Sequence, residues 1–419
     1  MLKALKYRIY PNVEQKILFE KHFGCVRLIY NLALETKSNA YLQHGLNISR
    51  YDLQAQLKEM KSEFSFLKEV NSQSLQYALL KLDTAYQNFF REFKNGKIEA
   101  KKNGYIKSRL SKSLPVKQNK LFNIGKPKYK SKNDEQKFHC PQNFEVVENK
   151  LYIPKLESGI KIVLHRALIG EQKSLTIEKT PTGRYYASIL VEDGKEYPEL
   201  KPIKKSTALG GDLGIKTFAV FSDGSEIQSP KYLRQVLERI KILQKRLSKC
   251  KKGGQNYKKL SKQIAKLHEK AANQRKDFLH KGSDLITKNY DTLCFEDLAV
   301  KNMVKNPNLS LSISDAGWGM FTDLVKYKCK FRGKNYIEIG RFEPSSQTHN
   351  KCGFVNKNLK LSDRTWVCEC GEVVLRDLNS AEFIRDKALE ISGSVRPEEP
   401  VELPTLVGAM KQEATTPLG

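Results

Sequence analysis

The chain has 419 residues, with 74 Lys and Arg against 46 Asp and Glu, a formal charge of +28, and 39% hydrophobic residues. That composition can bury a core and excludes collagen-like and broadly disordered classes. No apolar run reaches the roughly eighteen residues of a membrane span, and the start, Met1-Leu2-Lys3-Ala4-Leu5-Lys6, has no secretory apolar stretch, so a cytoplasmic protein of two or three domains is expected.

Residues 2–10 alternate basic and apolar positions as a strand does, and Pro11 stops them. Helical spacing follows from Val13 to Leu42 and again from Gln73 to Phe93, where Leu75, Ala78, Leu79, Leu82, Ala85, Tyr86, Phe89 and Phe90 share one face. Arg91 to Glu135 then holds 14 basic and 4 acidic residues, interleaved with Phe93, Tyr105, Phe122 and Tyr129, a composition suited to stacking on bases. Short β-type runs occupy 137–192 (151–153, 160–163, 175–178 and 185–191), with Pro181-Thr182-Gly183 as a turn, and fit a β-barrel.

Beyond Lys201 to Lys205 the pattern becomes α/β, with strands at 208–213, 216–221, 291–295 and 335–339 and a helix at 318–332. Between the second and third strands, Lys231 to Lys281 holds 17 basic and 3 acidic residues. Two apolar stripes, Ile240, Leu243, Leu247 and Leu260, Ile264, Leu267, flank Gly253-Gly254, which predicts a helical hairpin with a cationic surface. Such a surface binds phosphate backbones through counterion release, whatever the base sequence. The stretch from 393 on, rich in Pro, Glu and Thr, reads as a disordered tail.

Three places offer carboxylates. Asp212 ends an apolar strand beside Gly210, Gly211 and Gly214, so something can approach the backbone there. Thr292 to Leu298 is a strand ending in Glu296 and Asp297, and Asp377 opens a helix. Singly each suits a cap or a turn; together they can hold two hard divalent ions about 4 Å apart, the arrangement that hydrolyses phosphodiesters, and Mg²⁺ is the expected partner. Asp212-x-Gly214-x-x-Thr217 also suits an actin-like ATPase, but no second glycine-rich phosphate loop accompanies it. Of the eight cysteines only Cys352, Cys368 and Cys370 cluster; with His349 they have the spacing of a structural zinc ribbon closed by four protein ligands.

These residues together resemble the TnpB (OrfB) family of transposon-encoded RNA-guided nucleases, related to type V CRISPR effectors. The resemblance runs from residue 1 to about 390 and is carried by Tyr7 to Pro11, 125–131, 164–168, Gly211-Asp212-Leu213-Gly214-Ile215, Phe295-Glu296-Asp297-Leu298, 316–319, Ser345-Ser346-Gln347-Thr348 and Arg376-Asp377-Leu378-Asn379. It implies an α/β multidomain protein. An RNase H-like (RuvC) nuclease domain (204–342 and 375–392, with the hairpin 231–281) is interrupted by a zinc ribbon (343–374). A wedge β-barrel (1–10 and 121–203) carries an inserted helical recognition domain (11–120). It also implies Asp212, Glu296 and Asp377 as Mg²⁺-binding catalytic acids, a guide RNA from the transposon end, double-stranded target DNA cut beside a short adjacent motif, no membrane partner, and a monomer or dimer associated with the nucleoid when on DNA. A nuclease-inactive RNA-guided repressor and a transposase or accessory protein in transposition are the alternatives. Two departures stand out: His349 and a C-x-C knuckle where the family favours cysteine and C-x2-C, and Leu375 where it has aspartate.

Overall fold

The computed structural model describes residues 1–393 apart from 111–114, 116, 119, 121–122 and 361; Phe122 and the expected tail beyond Gly393 lie outside the described residues. The chain forms two units that divide after Lys195. In the first, β1 (Leu2–Tyr10) alternates as its sequence predicts, with Tyr7 and Ile9 buried and Lys6 and Tyr10 exposed. It joins β2 (Gln136–Cys140), β3 (Glu145–Val147), β4 (Lys150–Ile153), β5 (Leu156–Val163), β6 (Glu171–Lys179) and β7 (Tyr185–Glu192) in an antiparallel sheet of order β2-β6-β7-β1-β5-β4-β3. One face of the sheet supplies Tyr7, Phe138, Leu151, Ile160, Leu175 and Ile189 to a single core, which requires the sheet to curl. The expected turn at 181–183 closes the β6–β7 hairpin, with Gly183 at φ +84° and the Thr180 N–H donating to the Arg184 carbonyl at 2.8 Å.

Helix α1 (Val13–His44) starts on a capping box between Asn12 and Gln15 and ends at Gly45 in the left-handed conformation. Its Phe19 and Phe23 pack into the sheet core. Its later residues Ile29, Ala33 and Leu34 meet Leu53 and Leu57 of α2 (Arg50–Glu63) and Leu75, Leu79 and Leu82 of α3 (Ser72–Lys94), and α4 (Lys97–Leu110) follows. Phe90, Phe93 and Tyr129 are exposed among the cations of this region.

The second unit is built on β8 (Ala208–Leu213), β9 (Thr217–Phe221), β10 (Glu226–Gln228), β11 (Thr292–Glu296) and β12 (Asn335–Ile339), in the order β10-β9-β8-β11-β12. β8, β11 and β12 are mutually parallel, so they need crossovers. The first is the basic hairpin, α5 (Tyr232–Ser248) and α6 (Gln255–Asn289), turning at Gly253 with φ +84°. α6 runs on past 281 because Leu279, Gly282 and Ile286 continue its buried face. The second crossover contains α7 (Val300–Met303), α8 (Ser310–Ala316) and α9 (Trp318–Arg332). A small hairpin, β13 (Thr365–Val367) and β14 (Val373–Leu375), leads into α10 (Arg376–Ile391). Among the described residues no helix is long and apolar enough to cross a membrane.

The sheet separates two packing faces. Leu209, Leu293 and Phe295 point to a core shared with Leu279, Ile286, Phe321 and Val325, whereas Cys294 packs with Ile384 and Ala388 of α10. Strand alternation puts Gly210 and Asp212 of β8, and Glu296 of β11, on that same α10 face. At Gly210 the helix comes so close that a β-carbon would lie 2.1 Å from the Ala381 carbonyl oxygen and 2.8 Å from the Arg385 nitrogen. Gly210, two residues before Asp212, thus admits a helix of the same chain.

Because both obstructing atoms are backbone, Gly210→Ala is expected to cost about 3 kcal/mol in chemical denaturation. Gly319→Ala in α9, with nothing within 4 Å of the added carbon, is expected to be neutral or slightly stabilising.

Candidate functional site

Asp212 and Glu296 end neighbouring parallel strands. Gly211 pairs with Phe295, so the two acids occupy the next position along each strand, about 5 Å apart at the backbone and on one face. Asp377 arrives as the second residue of α10, in the first turn, where a negative side chain complements the helix dipole. The structure therefore places the three acids that the sequence resemblance singled out near enough for Glu296 and Asp377 to act on Asp212, although among the described residues their oxygens do not all come within 4.8 Å of one another. Asp297 does not join them; its carboxylate is held by Arg341 Nη2 at 2.5 Å, and its N–H donates to the Ile339 carbonyl. Leu375 ends β14 with an exposed apolar side chain and offers no ligand.

Electrostatics record the convergence. Burial, reinforced by repulsion from Glu296 and then Asp377, pushes the Asp212 carboxyl up to about 7, while Arg376 and Arg364 pull the other way. Burial also raises Glu296, opposed by the hydroxyl of Ser345, which donates to Glu296 Oε1. Asp377 is flanked by two guanidiniums: Arg364 Nη1 lies 3.0 Å from its Oδ2, and Arg376 Nη2 2.9 Å from its Oδ1. A cleft of about 680 Å³ opens over Asp212 and Asp377, lined also by Lys216, Lys231, Arg234 and Asp315. Asp315, 8% exposed, accepts the Leu233 N–H on both carboxylate oxygens at 3.1 Å, fixing the start of the basic hairpin at the cleft wall. A buried carboxyl raised first by burial and then by the charges of Glu296 and Asp377, inside a cationic cleft, is a candidate ligand for a hard divalent cation.

Ser345, Arg364 and Asp315 were not individually identifiable from sequence. Each acts across 13 to 82 residues of chain. Ser345 fell within a recognised motif; neither Arg364 nor Asp315 carried a local signal.

The ribbon residues also converge. His349, Cys352, Cys368 and Cys370 each present a ligand atom within 4.8 Å of the others, with His349 Nδ1 3.1 Å from Cys352 Sγ and 3.4 Å from Cys370 Sγ. Both knuckles turn on left-handed glycines, Gly353 at φ +77° and Gly371 at φ +88°, and Trp366, Cys368 and Val374 form a small core beneath. Three cysteine sulfurs and an imidazole at this separation could hold one metal ion, and such a donor set suits zinc. The other five cysteines do not join the cluster.

The raised Asp212 has a thermodynamic consequence in metal-free protein. Its unfolded carboxyl ionises near 4 and its folded one near 7, so the folded state binds the extra proton and stability is lost as pH rises through that window. Asp212→Asn removes the penalty. Its unfolding free energy in metal-free chemical denaturation should match wild type near pH 4 and exceed it at pH 8 by an amount on the order of a few kcal/mol. Equal stabilities at pH 8 would contradict the raised Asp212 carboxyl.

Comparison with known proteins places the chain. A family model described as "Probable transposase", of the IS605 OrfB type, matches residues 188–307; a "Helix-turn-helix domain" model matches 1–45, and a "Cas12f1-like, TNB domain" model matches 318–384. The region matched by the second is here a strand followed by one uninterrupted helix. A Streptomyces pristinaespiralis protein named "Putative RNA-guided DNA endonuclease" is 33% identical over 406 residues, covering 94% of this chain and 92% of its own. The Escherichia coli K12 protein named "Putative RNA-guided DNA endonuclease InsQ" is 26% identical, covering 91% of each chain. A cryo-EM structure of a Cas12f1-sgRNA-target DNA complex overlaps 92% of this chain and 98% of its own, with TM-score 0.46 and 15% identity. On the length and identity of the Streptomyces match, together with the family models, the chain belongs to the IS605 OrfB family, also called TnpB.

Proposed function

We propose that this protein is an RNA-guided, Mg²⁺-dependent DNA endonuclease of the IS605 element type, hydrolysing target DNA beside a short adjacent motif with a guide RNA from the transposon end. The observation that supports it most is the convergence of Asp212, Glu296 and Asp377, within a chain related along its length to proteins named as RNA-guided DNA endonucleases. In this reading the five-stranded unit is the RNase H-like (RuvC) domain, the curled sheet is the wedge and α1–α4 form the recognition helices.

Magnesium held by the three acids would supply polarisation of the scissile phosphate and activation of water. The chain's own groups do the rest. Ser345 fixes the Glu296 carboxylate, and α10 presents Asp377 from a rigid first turn. Arg364 and Arg376 offset the negative cluster before substrate enters and face an incoming phosphodiester afterwards. The basic hairpin, anchored through Asp315, and the exposed aromatics among the cations of the first unit would bind backbone and unpaired bases without reading sequence, leaving that to the guide. All three acids are present, which favours cleavage over a purely repressive, nuclease-inactive role.

Protein purified with its co-purifying RNA should cut a plasmid carrying the matching target in Mg²⁺ and not in EDTA. Asp212→Ala should lower the rate at least about 10²-fold while leaving the bound RNA unchanged. Wild-type cleavage by that variant would falsify the site assignment. Replacing Lys251, Lys252 and Lys258 of the hairpin by Gln should weaken nucleic-acid binding evenly across sequences and reduce the slope of log K against log salt by as much as about 3.

A further inference from the structure

The carboxylate cluster and the Cys-His cluster share one short stretch of chain. Ser345, 4% exposed, donates to Glu296, and His349, 3% exposed, opens the ribbon donor set four residues later. The residues on both sides of His349 are gripped by a single buried side chain. Asn379 Nδ2 donates to the Thr348 carbonyl at 2.7 Å, and Asn379 Oδ1 accepts from the Asn350 N–H at 2.8 Å. Asn379 is 4% exposed and stands two residues after Asp377 on α10. A second bond ties the same loop to the same helix, from Asn350 Nδ2 to Asp386 Oδ2 at 2.9 Å.

The amide of Asn379 therefore bridges a metal knuckle and a catalytic helix, with donor and acceptor both satisfied by backbone on either side of one ligand. Breaking either bond leaves a buried polar group without its partner, which costs more than a hydrogen bond between exposed groups contributes. The ribbon, in turn, has little apolar core of its own: Trp366, Cys368 and Val374 are buried, while Cys352 and Cys370 are exposed. A module of that size holds its shape through the metal. Ordering the knuckle orders 348–350 and, upstream, Ser345. Releasing it loosens the hold on two of the three carboxylates, Glu296 through Ser345 and Asp377 through Asn379.

We infer that zinc binding at His349, Cys352, Cys368 and Cys370 and divalent-cation binding at Asp212, Glu296 and Asp377 are energetically coupled, with Asn379 as the positioning residue that carries the coupling. The ribbon is then a regulator of the nuclease centre's geometry as well as a structural module. This inference rests on the proposed reading of the three acids as a cation site. Linkage makes the coupling reciprocal: whatever factor zinc contributes to the affinity of the carboxylates, a cation on the carboxylates contributes to zinc. An asparagine that served stability alone would change unfolding midpoints and leave this factor at one.

The test uses the full chain with Mn²⁺ as the carboxylate probe, counted by electron paramagnetic resonance, and zinc followed by competition with a chromophoric chelator. Wild-type protein loaded with zinc should bind Mn²⁺ about tenfold more tightly than zinc-stripped protein, and saturating Mn²⁺ should tighten zinc by the same factor. Asn379→Leu should bring both factors close to one while each metal still binds alone. Equal Mn²⁺ affinity with and without zinc in the wild type overturns the coupling, however the variant behaves. A factor that persists in a folded Asn379→Leu variant overturns the assignment to Asn379. Absence of Mn²⁺ binding at either zinc occupancy would instead defeat the reading of the carboxylates, and the coupling with it.

Discussion

The site depends on how closely α10 can lie against β8. A helix normally rests on side chains; here it rests on the backbone of Gly210, and that contact carries Asp377 to the end of the strand that bears Asp212. Glu296 reaches the same place because parallel register sets it beside Asp212. Like charges converging in a partly buried site repel one another more strongly than they would in bulk water. The packing of sheet and helix has to overcome that repulsion, which adds to burial in pushing the Asp212 carboxyl up to about 7.

The surplus of positive charge becomes intelligible around that cluster. Lys216, Lys231, Arg234, Arg364 and Arg376 line the cleft that opens over Asp212 and Asp377, so an anionic polymer meets cations around those carboxylates. The basic hairpin extends this field outward. Its outer residues Leu260, Ile264 and Leu267 are only half-buried against α5, so the hairpin is held chiefly at its base, where Asp315 caps α5 and Arg275 donates to the Ser314 carbonyl at 3.0 Å. A long cationic arm fixed at the cleft and free along its length suits a surface that follows a backbone without dictating sequence.

Periodicity revealed most elements because the burial behind it is one-sided. β1, β7 and α3 each have one apolar face, and the sequence alternates accordingly. α2 was less visible, since Leu53 and Leu57 are its only buried residues, although Ser49 and Asp52 form a capping box that marks its start. Asp212 was legible from the glycines around it. Spacing alone does not choose between Glu296 and Asp297; the family resemblance points to Glu296, and in the structure strand register and Arg341, remote in sequence, set the two apart. The same holds for Ser345, Arg364 and Asn379: their partners lie 49, 13 and 31 residues away, and no local spacing encodes such contacts.

The ribbon's departure from an all-cysteine donor set also has a physical reading. Replacing a thiolate by a neutral imidazole lowers the negative charge facing the metal by one. Glu372 Oε2 stands 3.5 Å from His349 Nε2, the ring nitrogen turned away from the three sulfurs, and Lys351 Nζ holds that carboxylate at 2.9 Å. A carboxylate on the remote nitrogen favours the tautomer with Nδ1 free to ligate, and its negative charge offsets part of the difference between an imidazole and a thiolate. The C-x-C knuckle is accommodated because the Cys368 N–H donates to the Glu372 carbonyl and the Gly371 N–H to the Cys368 carbonyl, both at 2.9 Å, so the turn closes with one residue between the sulfurs. Glu372 thus belongs both to the turn that shapes the second knuckle and to the charge balance of the first, and His349 is tolerable because that turn delivers a carboxylate to it.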